Sequence, residues 1–356
     1  MTQKHIFITD TDFANTDSSF LYVLWFQPSL WAMILTDMEL IVFLDGRYFA
    51  KTQHIDIKNI QAKVWNPNLE LRFVLVQDLT ESLIWEISNE DELCFQDNIA
   101  IKYVEDIKKK FLNNQITTSW SYFQEKREIK SPAEKKAIIS AIEIIDKVFL
   151  SIESMVDSWE IIWKTEIQVR QRVIQKIFEF WWDGESFETI IAFWKNSAVP
   201  HYVSWNTRIT DGVLLIDMWA KYAGYCSDFT RTIWVWRKNQ QFETFQKVYQ
   251  IVKNSHESSF TWYTHWMSGS DLDTMSRDII QNSEFKDLFI HNLWHSLGID
   301  IHENPRLKQG DTTVLRDGMV FTIEPWIYID NEFGVRLEDI VFLEDGRLRK
   351  YTNIPL

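Results

Sequence analysis

The chain has 356 residues and a formal net charge of −14. That length suits two domains with a buried core. The acidic balance argues against nucleic acid or an anionic membrane as the main partner, because both need clustered Lys and Arg.

No apolar run is long enough to span a bilayer, and the start MTQKHIFITD lacks a signal-peptide pattern, so a cytoplasmic protein is expected. Two distant cysteines, Cys94 and Cys226, make neither a disulfide framework nor a cysteine zinc site. Residues 1–125 alternate short apolar strands such as LIVFLD (40–45) with helical stretches such as NIAIKYVEDIKKKF (98–111), the pattern of a compact α/β domain. A charged connector, QEKREIK (124–130), then leads into SPAEKKAIISAIEIIDKVFLSIESMV. Ser131 suits an N-cap, Pro132 the first helical position, and Glu134 completes a capping box. The domain boundary is therefore placed before this helix, giving domains 1–125 and 126–356. A second amphipathic helix is predicted at 165–180, and helices near 242–265 and 270–282 interrupt a strand-rich region that begins at about 187. No solenoid-type repeat is visible.

Two carboxylate pairs stand out in that region. Asp217 and Asp228 flank an apolar stretch with a turn near Tyr222–Gly224, and a hairpin centred between Tyr222 and Ala223 would set them opposite. Glu324 and Glu338 would pair likewise across a hairpin centred on Asn331. Any one such acid would ordinarily be a solvated strand-end carboxylate; two pairs in one domain change that weighing. Four converging carboxylates without a cation would raise one another's pKa and destabilise the fold. Two divalent cations remove the difficulty, and a set of Asp, Glu and one His suits Mn²⁺ first, with Co²⁺, Fe²⁺ or Zn²⁺ as alternatives. Paired ions of that kind serve hydrolysis.

The stretch HNLWHSLGIDIHENP (291–305) supplies His295 as the metal ligand, with His291 four residues before it and His302 seven after. His201 follows Pro200 in an expected loop. Imidazoles beside such a centre bind a substrate carbonyl or move protons. His5, His54, His256 and His265 are scattered and read as ordinary packed or surface residues. Arg336, two residues before Glu338 on the same strand face, is placed to orient a ligand carboxylate.

The order Asp217, Asp228, His295, Glu324, Glu338 resembles that of the pita-bread metallopeptidases, which include methionine aminopeptidase, Xaa-Pro aminopeptidase and Xaa-Pro dipeptidase (prolidase). The resemblance runs through FETIIAFWKNSAVPH, LLIDMWAKYAGYCSDFTRT, HNLWHSLGIDIHENP, GMVFTIEPWIYI and GVRLEDIVFL. LYVLWFQPS (21–29) and LDGRYFAK (44–51) resemble the creatinase-type N-terminal domain of the proline-specific members. The resemblance implies an α/β (α+β) pita-bread catalytic domain behind that N-terminal domain. It implies that Asp217 holds one metal, that His295 and Glu324 hold the other, and that Asp228 and Glu338 bridge them. Glu324 would also help deprotonate the attacking water. His201, His291 and His302 match the family's three substrate-binding and proton-handling histidines.

The implied substrate is a peptide with proline in second position, cleaved before the proline. Creatinase lacks this metal set and methionine aminopeptidase normally lacks the N-terminal domain, which disfavours both. Between Xaa-Pro aminopeptidase and Xaa-Pro dipeptidase the residues barely discriminate, with a narrow lean to the aminopeptidase. A non-catalytic pita-bread binding module is the reading from another class, disfavoured because all five ligands are present. Relatives of this type are often homodimers, although no dimer patch can be read from the residues.

One departure from the family repeats along the chain. Glycine numbers 10 and tryptophan 18, whereas glycine alone is usually about 7% of a protein. Trp163, Trp194, Trp219, Trp294 and Trp326 stand where the family has glycine, and Trp25, Trp236 and Trp266 fit the same pattern. Glycine serves where φ is positive or another chain comes close, and tryptophan meets neither need. The pattern is the one expected if a UGA codon meaning glycine were translated as tryptophan. Trp234, between Ile233 and Val235 in an expected strand, fits as a genuine tryptophan. The alternative is a divergent relative whose tryptophans are all real.

Overall fold

The computed structural model describes residues 2–10, 17–26, 28–119, 122–180, 188–289, 295–306 and 308–356. His291 and Trp294 lie outside these residues. The chain divides into two compact units, Met1–Lys126 and Arg127–Leu356.

The first unit contains strands β1 (Gln3–Asp10), β2 (Leu30–Leu35), β3 (Glu39–Leu44), β4 (Glu70–Leu75), β5 (Glu92–Gln96) and β6 (Ile116–Ser119). They form one sheet in the order β4-β3-β2-β1-β5-β6. β1, β2 and β3 pair antiparallel, while β4, β5 and β6 join in parallel. Helices α1 (Ser18–Leu24), α2 (Ile57–Val64), α3 (Leu79–Trp85), α4 (Ile101–Lys110) and α5 (Tyr122–Arg127) complete this part of the chain. Ile6, Ile8, Ala32, Ile34, Phe43 and Phe95 alternate inward along the central strands, and Leu83 and Ile107 of α3 and α4 pack on the same core. The period-2 and helical apolar patterns thus converge on one interior.

The second unit opens on α6 (Pro132–Asp157). Ser131 caps it with a full capping box to Glu134, and proline sits in the first turn. α7 (Glu166–Phe180) follows, then β7 (Ile190–Phe193), β8 (Gly212–Met218), β9 (Lys221–Tyr222), β10 (Tyr225–Cys226) and β11 (Phe229–Val235). Next come α8 (Gln241–Trp262), α9 (Gly269–Gln281), β12 (Val320–Ile323), β13 (Trp326–Ile329), β14 (Phe333–Arg336), β15 (Asp339–Glu344) and β16 (Arg347–Lys350). The strands make sheets β11-β8-β7, β12-β15-β16, β13-β14 and β10-β9. One apolar cluster packs α6 and α7 against β7, β8 and β11. A second joins α8 and α9 to β12 through β15. Glycine is obligatory at Gly334, where a Cβ would stand 2.1 Å from the Ser197 carbonyl oxygen. Among the described residues no helix is long and apolar enough to cross a membrane.

Candidate metal centre

The carboxylates are placed by strand register. On the second hairpin Asn331 takes a left-handed turn at φ 59°, and Ile329 pairs with Phe333 and Trp326 with Arg336. The same register reappears as Ile323 opposite Asp339 between β12 and β15. Glu324 and Glu338 lie between those pairs, as the hairpin centred on Asn331 predicts.

The first hairpin differs from expectation. Asp217 stands opposite Thr230, not Asp228. The turn is Ala223–Gly224, with φ of 49° and 79°, and Tyr222 pairs with Tyr225. A two-residue turn needs positive φ at both central positions, so the bend centres one residue later than expected. Because Asp228 is then displaced by two residues, an even number, it keeps to the face that Asp217 occupies.

Asp217, Asp228, His295, Glu324, Arg336 and Glu338 line one cavity of about 290 Å³, together with His201 and His302. Asp228, His295 and Glu338 each place a donor atom within 4.8 Å of the others. His295 Nε2 lies 3.5 Å from Asp228 Oδ2 and 3.4 Å from Glu324 Oε1. The His302 ring stands edge-on to His295 with centroids 4.5 Å apart.

Several side chains hold these groups in place. Arg336 Nη2 donates to Asp217 Oδ2, its Nη1 donates to Tyr328 Oη at 2.7 Å, and its Nε donates to Thr230 Oγ1 at 3.1 Å. Thr230 in turn donates to Glu338 Oε2 at 2.6 Å. Thr322 Oγ1 lies 3.3 Å from Glu324 Oε1. Arg231 grips the backbone carbonyl of Glu338 at 2.7 Å and the neighbouring Asp339 carboxylate at 2.6 Å. His256, read as a packed residue, is buried beside that same Asp339.

Sequence reasoning missed Thr230, Thr322 and Tyr328. A signal was present for the threonines: each sits two residues from a site carboxylate along the chain, on its strand face.

The electrostatics are those of crowded acids. Burial first, then the charges of Asp217 and Glu324, push the Asp228 carboxyl well above its ordinary range. Burial and the neighbouring acids do the same to Glu338. Burial and Asp217 carry Glu324 up to about 7 against the pull of Arg336. Burial raises Asp217 despite its pairing with Arg336. His295 is driven down to about 3 by burial and by His302, so its imidazole is neutral and free to donate a lone pair. Asp217 Oδ1 and Glu338 Oε1 are buried without a hydrogen-bond partner among the described residues. Buried carboxylate oxygens left unpaired beside a neutral imidazole fit a site built for cations.

Glu166 organises the loop that carries His201. Fully buried at the start of α7, it accepts from Phe193 N at 2.7 Å, Asn196 Nδ2 at 2.8 Å, Tyr202 Oη at 2.8 Å and Trp205 N at 3.2 Å. Glu166→Ala removes the acceptor from all four donors and strands the buried Phe193 N–H, at about 1–3 kcal/mol for that group. The expected result is a lower melting temperature and, from loss of His201 placement, at least a roughly tenfold fall in kcat/KM. Glu166→Gln, which keeps an acceptor, should recover part of both. Equal kcat/KM in Glu166→Ala and the parent would rule out this positioning role.

The profile of metallopeptidase family M24 matches residues 136–345. A Mycoplasma genitalium protein named provisionally as an Xaa-Pro aminopeptidase is 30% identical over 94% of this chain and 90% of its own length. The Xaa-Pro dipeptidase of Pyrococcus furiosus is 35% identical over 76% of each chain. Among solved structures, the prolidase from Pyrococcus furiosus superposes with a TM-score of 0.84 at 28% identity, covering 99% of this chain and 97% of that one. The architecture is the mixed α/β pita-bread fold. The chain belongs to metallopeptidase family M24.

Proposed function

We propose that this chain is an Xaa-Pro aminopeptidase, hydrolysing the peptide bond before a proline in second position and releasing the first residue. The observation that carries the reading is the convergence of Asp217, Asp228, His295, Glu324 and Glu338 on one cavity, with buried carboxylate oxygens that lack partners among the described residues. Xaa-Pro dipeptidase is the second reading, favoured by the 35% identity to the Pyrococcus furiosus enzyme of that name. The unit Met1–Lys126 is then the creatinase-type domain of the proline-specific members.

Asp217 would hold one divalent ion, His295 and Glu324 the other, with Asp228 and Glu338 shared between them. Bound there, two ions of the Mn²⁺ type would supply an acidified water and an electrophile for the scissile carbonyl. Glu324 takes the proton from the attacking water. His201 and His302, both lining the cavity, hold the substrate by hydrogen bonds to its carbonyl and pass a proton towards the leaving nitrogen. His291 would share that work. Arg336 fixes the orientation of Asp217.

The test is elemental analysis of the Mn²⁺-loaded protein beside hydrolysis of an Xaa-Pro dipeptide, a longer Xaa-Pro peptide and the same peptides with alanine for proline. The aminopeptidase reading requires near two ions per chain and cleavage of the longer proline peptide. Cleavage of the dipeptide alone selects the dipeptidase. Neither metal nor hydrolysis leaves a binding module.

A further inference from the structure

Ten described residues other than glycine have positive φ. Two of them, Asn331 and Asp345, belong to types that tolerate the left-handed region, and Ala223 sits in a tight turn. The remaining seven are all tryptophan: Trp25 (φ 62°), Trp65 (59°), Trp159 (63°), Trp163 (69°), Trp194 (56°), Trp236 (67°) and Trp266 (78°). Four of the chain's eighteen tryptophans, at 120, 181, 182 and 294, lie outside the described residues. Half of the fourteen that remain are therefore left-handed.

For an L-residue that conformation is strained, and a bulky side chain there is an outlier. The surroundings repeat the message. Trp25 and Trp65 end α1 and α2 as left-handed caps, their N–H groups donating to the carbonyls of Leu21 and Ala62. Helices end that way with glycine. Trp194 crowds Gly212 so closely that a Cβ on that glycine would stand 2.4 Å from the indole. The side chains of Trp65, Trp159, Trp163 and Trp266 lie largely in solvent, so burial does not explain them. Cations do face some of the rings, as Lys126 does over Trp65 at 3.9 Å. An exposed contact of that kind is weak, and it does not offset the backbone strain.

One cause reaches all seven: we infer that the native polypeptide carries glycine at 25, 65, 159, 163, 194, 236 and 266. The written tryptophans there are UGA codons, which some genetic codes read as tryptophan and others as glycine. Trp31 marks the contrast. It lies in β2, fully buried, with Phe26 and Tyr48 edge-on to its ring at 5.2 Å each, and is a real tryptophan. Trp219 and Trp326 are not among the left-handed residues, so the backbone argument does not extend to them.

The test needs no catalytic activity, so it stands or falls apart from the proposed function. The coding DNA should show UGA at the seven positions and UGG at 31, and tryptic peptides of the protein from its source cells should carry glycine. UGG at the seven positions, or tryptophan in those peptides, overturns the inference. Recombinant protein with all seven positions changed to glycine should melt roughly 10 °C or more above the literal sequence, while Trp31→Gly should melt lower. A seven-glycine chain that melts no higher than the literal one also overturns it.

Discussion

Glu324→Gln should lower kcat on an Xaa-Pro peptide by about 10²–10⁴ while making the metal-free protein more stable. The two effects share one cause. Glu324 is one of four carboxylates lining a cavity in which Arg336 is the sole arginine or lysine among the described residues. Burial and Asp217 hold its carboxyl up at about 7 from an ordinary 4.5. A carboxyl whose folded pKa is raised lends stability below about 4.5, and that stability is lost as pH climbs through about 7. In the metal-free chain at higher pH the ionised group is a liability. Glutamine keeps the shape and can still accept from Thr322, but carries no charge and takes no proton. Thermal melts in chelator at pH 5 and pH 8 should show a falling trend for the parent and a flatter one for the variant. Adding Mn²⁺ should reverse the ranking, since only the parent has its full ligand set. Retained turnover in the variant, or a lower metal-free melting temperature at pH 8, would refute the assignment.

Arg127→Met should destabilise the protein by about 3–5 kcal/mol. Arg127 Nη2 donates to Glu303 and, at 2.7 Å, to Asp300, while Lys130 Nζ reaches Glu303 at 3.0 Å. Arg127, Lys130 and Glu303 are buried, so without Arg127 the Glu303 carboxylate keeps only Lys130 as a cationic partner and has little solvent to replace the lost one. Burial alone would push Glu303 up, but Arg127 and then Lys130 hold it down at about 2. A depressed carboxyl stabilises above its ordinary 4.5, and that contribution disappears as pH falls from there to about 2. The variant should therefore begin acid unfolding at a higher pH than the parent. Function should suffer as well. Glu303 is the neighbour of His302, and its backbone N–H donates to the Ser296 carbonyl at 2.7 Å, beside His295. Denaturant titrations and circular dichroism across pH 2–6 would measure both effects. A variant with the parent's midpoint and acid limb would rule out the network as an anchor.

The parts of this site that obey strand periodicity could be read from the residues. Glu324 and Glu338 pair around Asn331 because side chains alternate with period 2 and the turn residue tolerates a left-handed backbone. The capping box at Ser131 was legible for a similar reason, since all its parts lie within four residues. The first hairpin was misjudged by one position because Ala223 gives no sign that it takes positive φ, although Gly224 beside it does. Nothing local points to Glu166 as a hub, because its acceptor sites serve donors 27 to 39 residues away in an irregular loop. Glu303 and Arg127 lie 176 residues apart, and their meeting depends on the fold of the whole second unit. Two further left-handed tryptophans, Trp65 and Trp159, escaped notice until their backbone angles were known.

The unbroken register from Ile323–Asp339 to Trp326–Arg336 makes the β13–β14 hairpin a ruler as well as a support. Its length sets which side of the sheet faces the cavity on the return strand. Inserting a single residue near Asn331 would turn Glu338 and Arg336 together to the opposite face, whereas Glu324 and Asp217, upstream, would stay in place. Segment length is therefore under as tight a constraint here as side-chain identity.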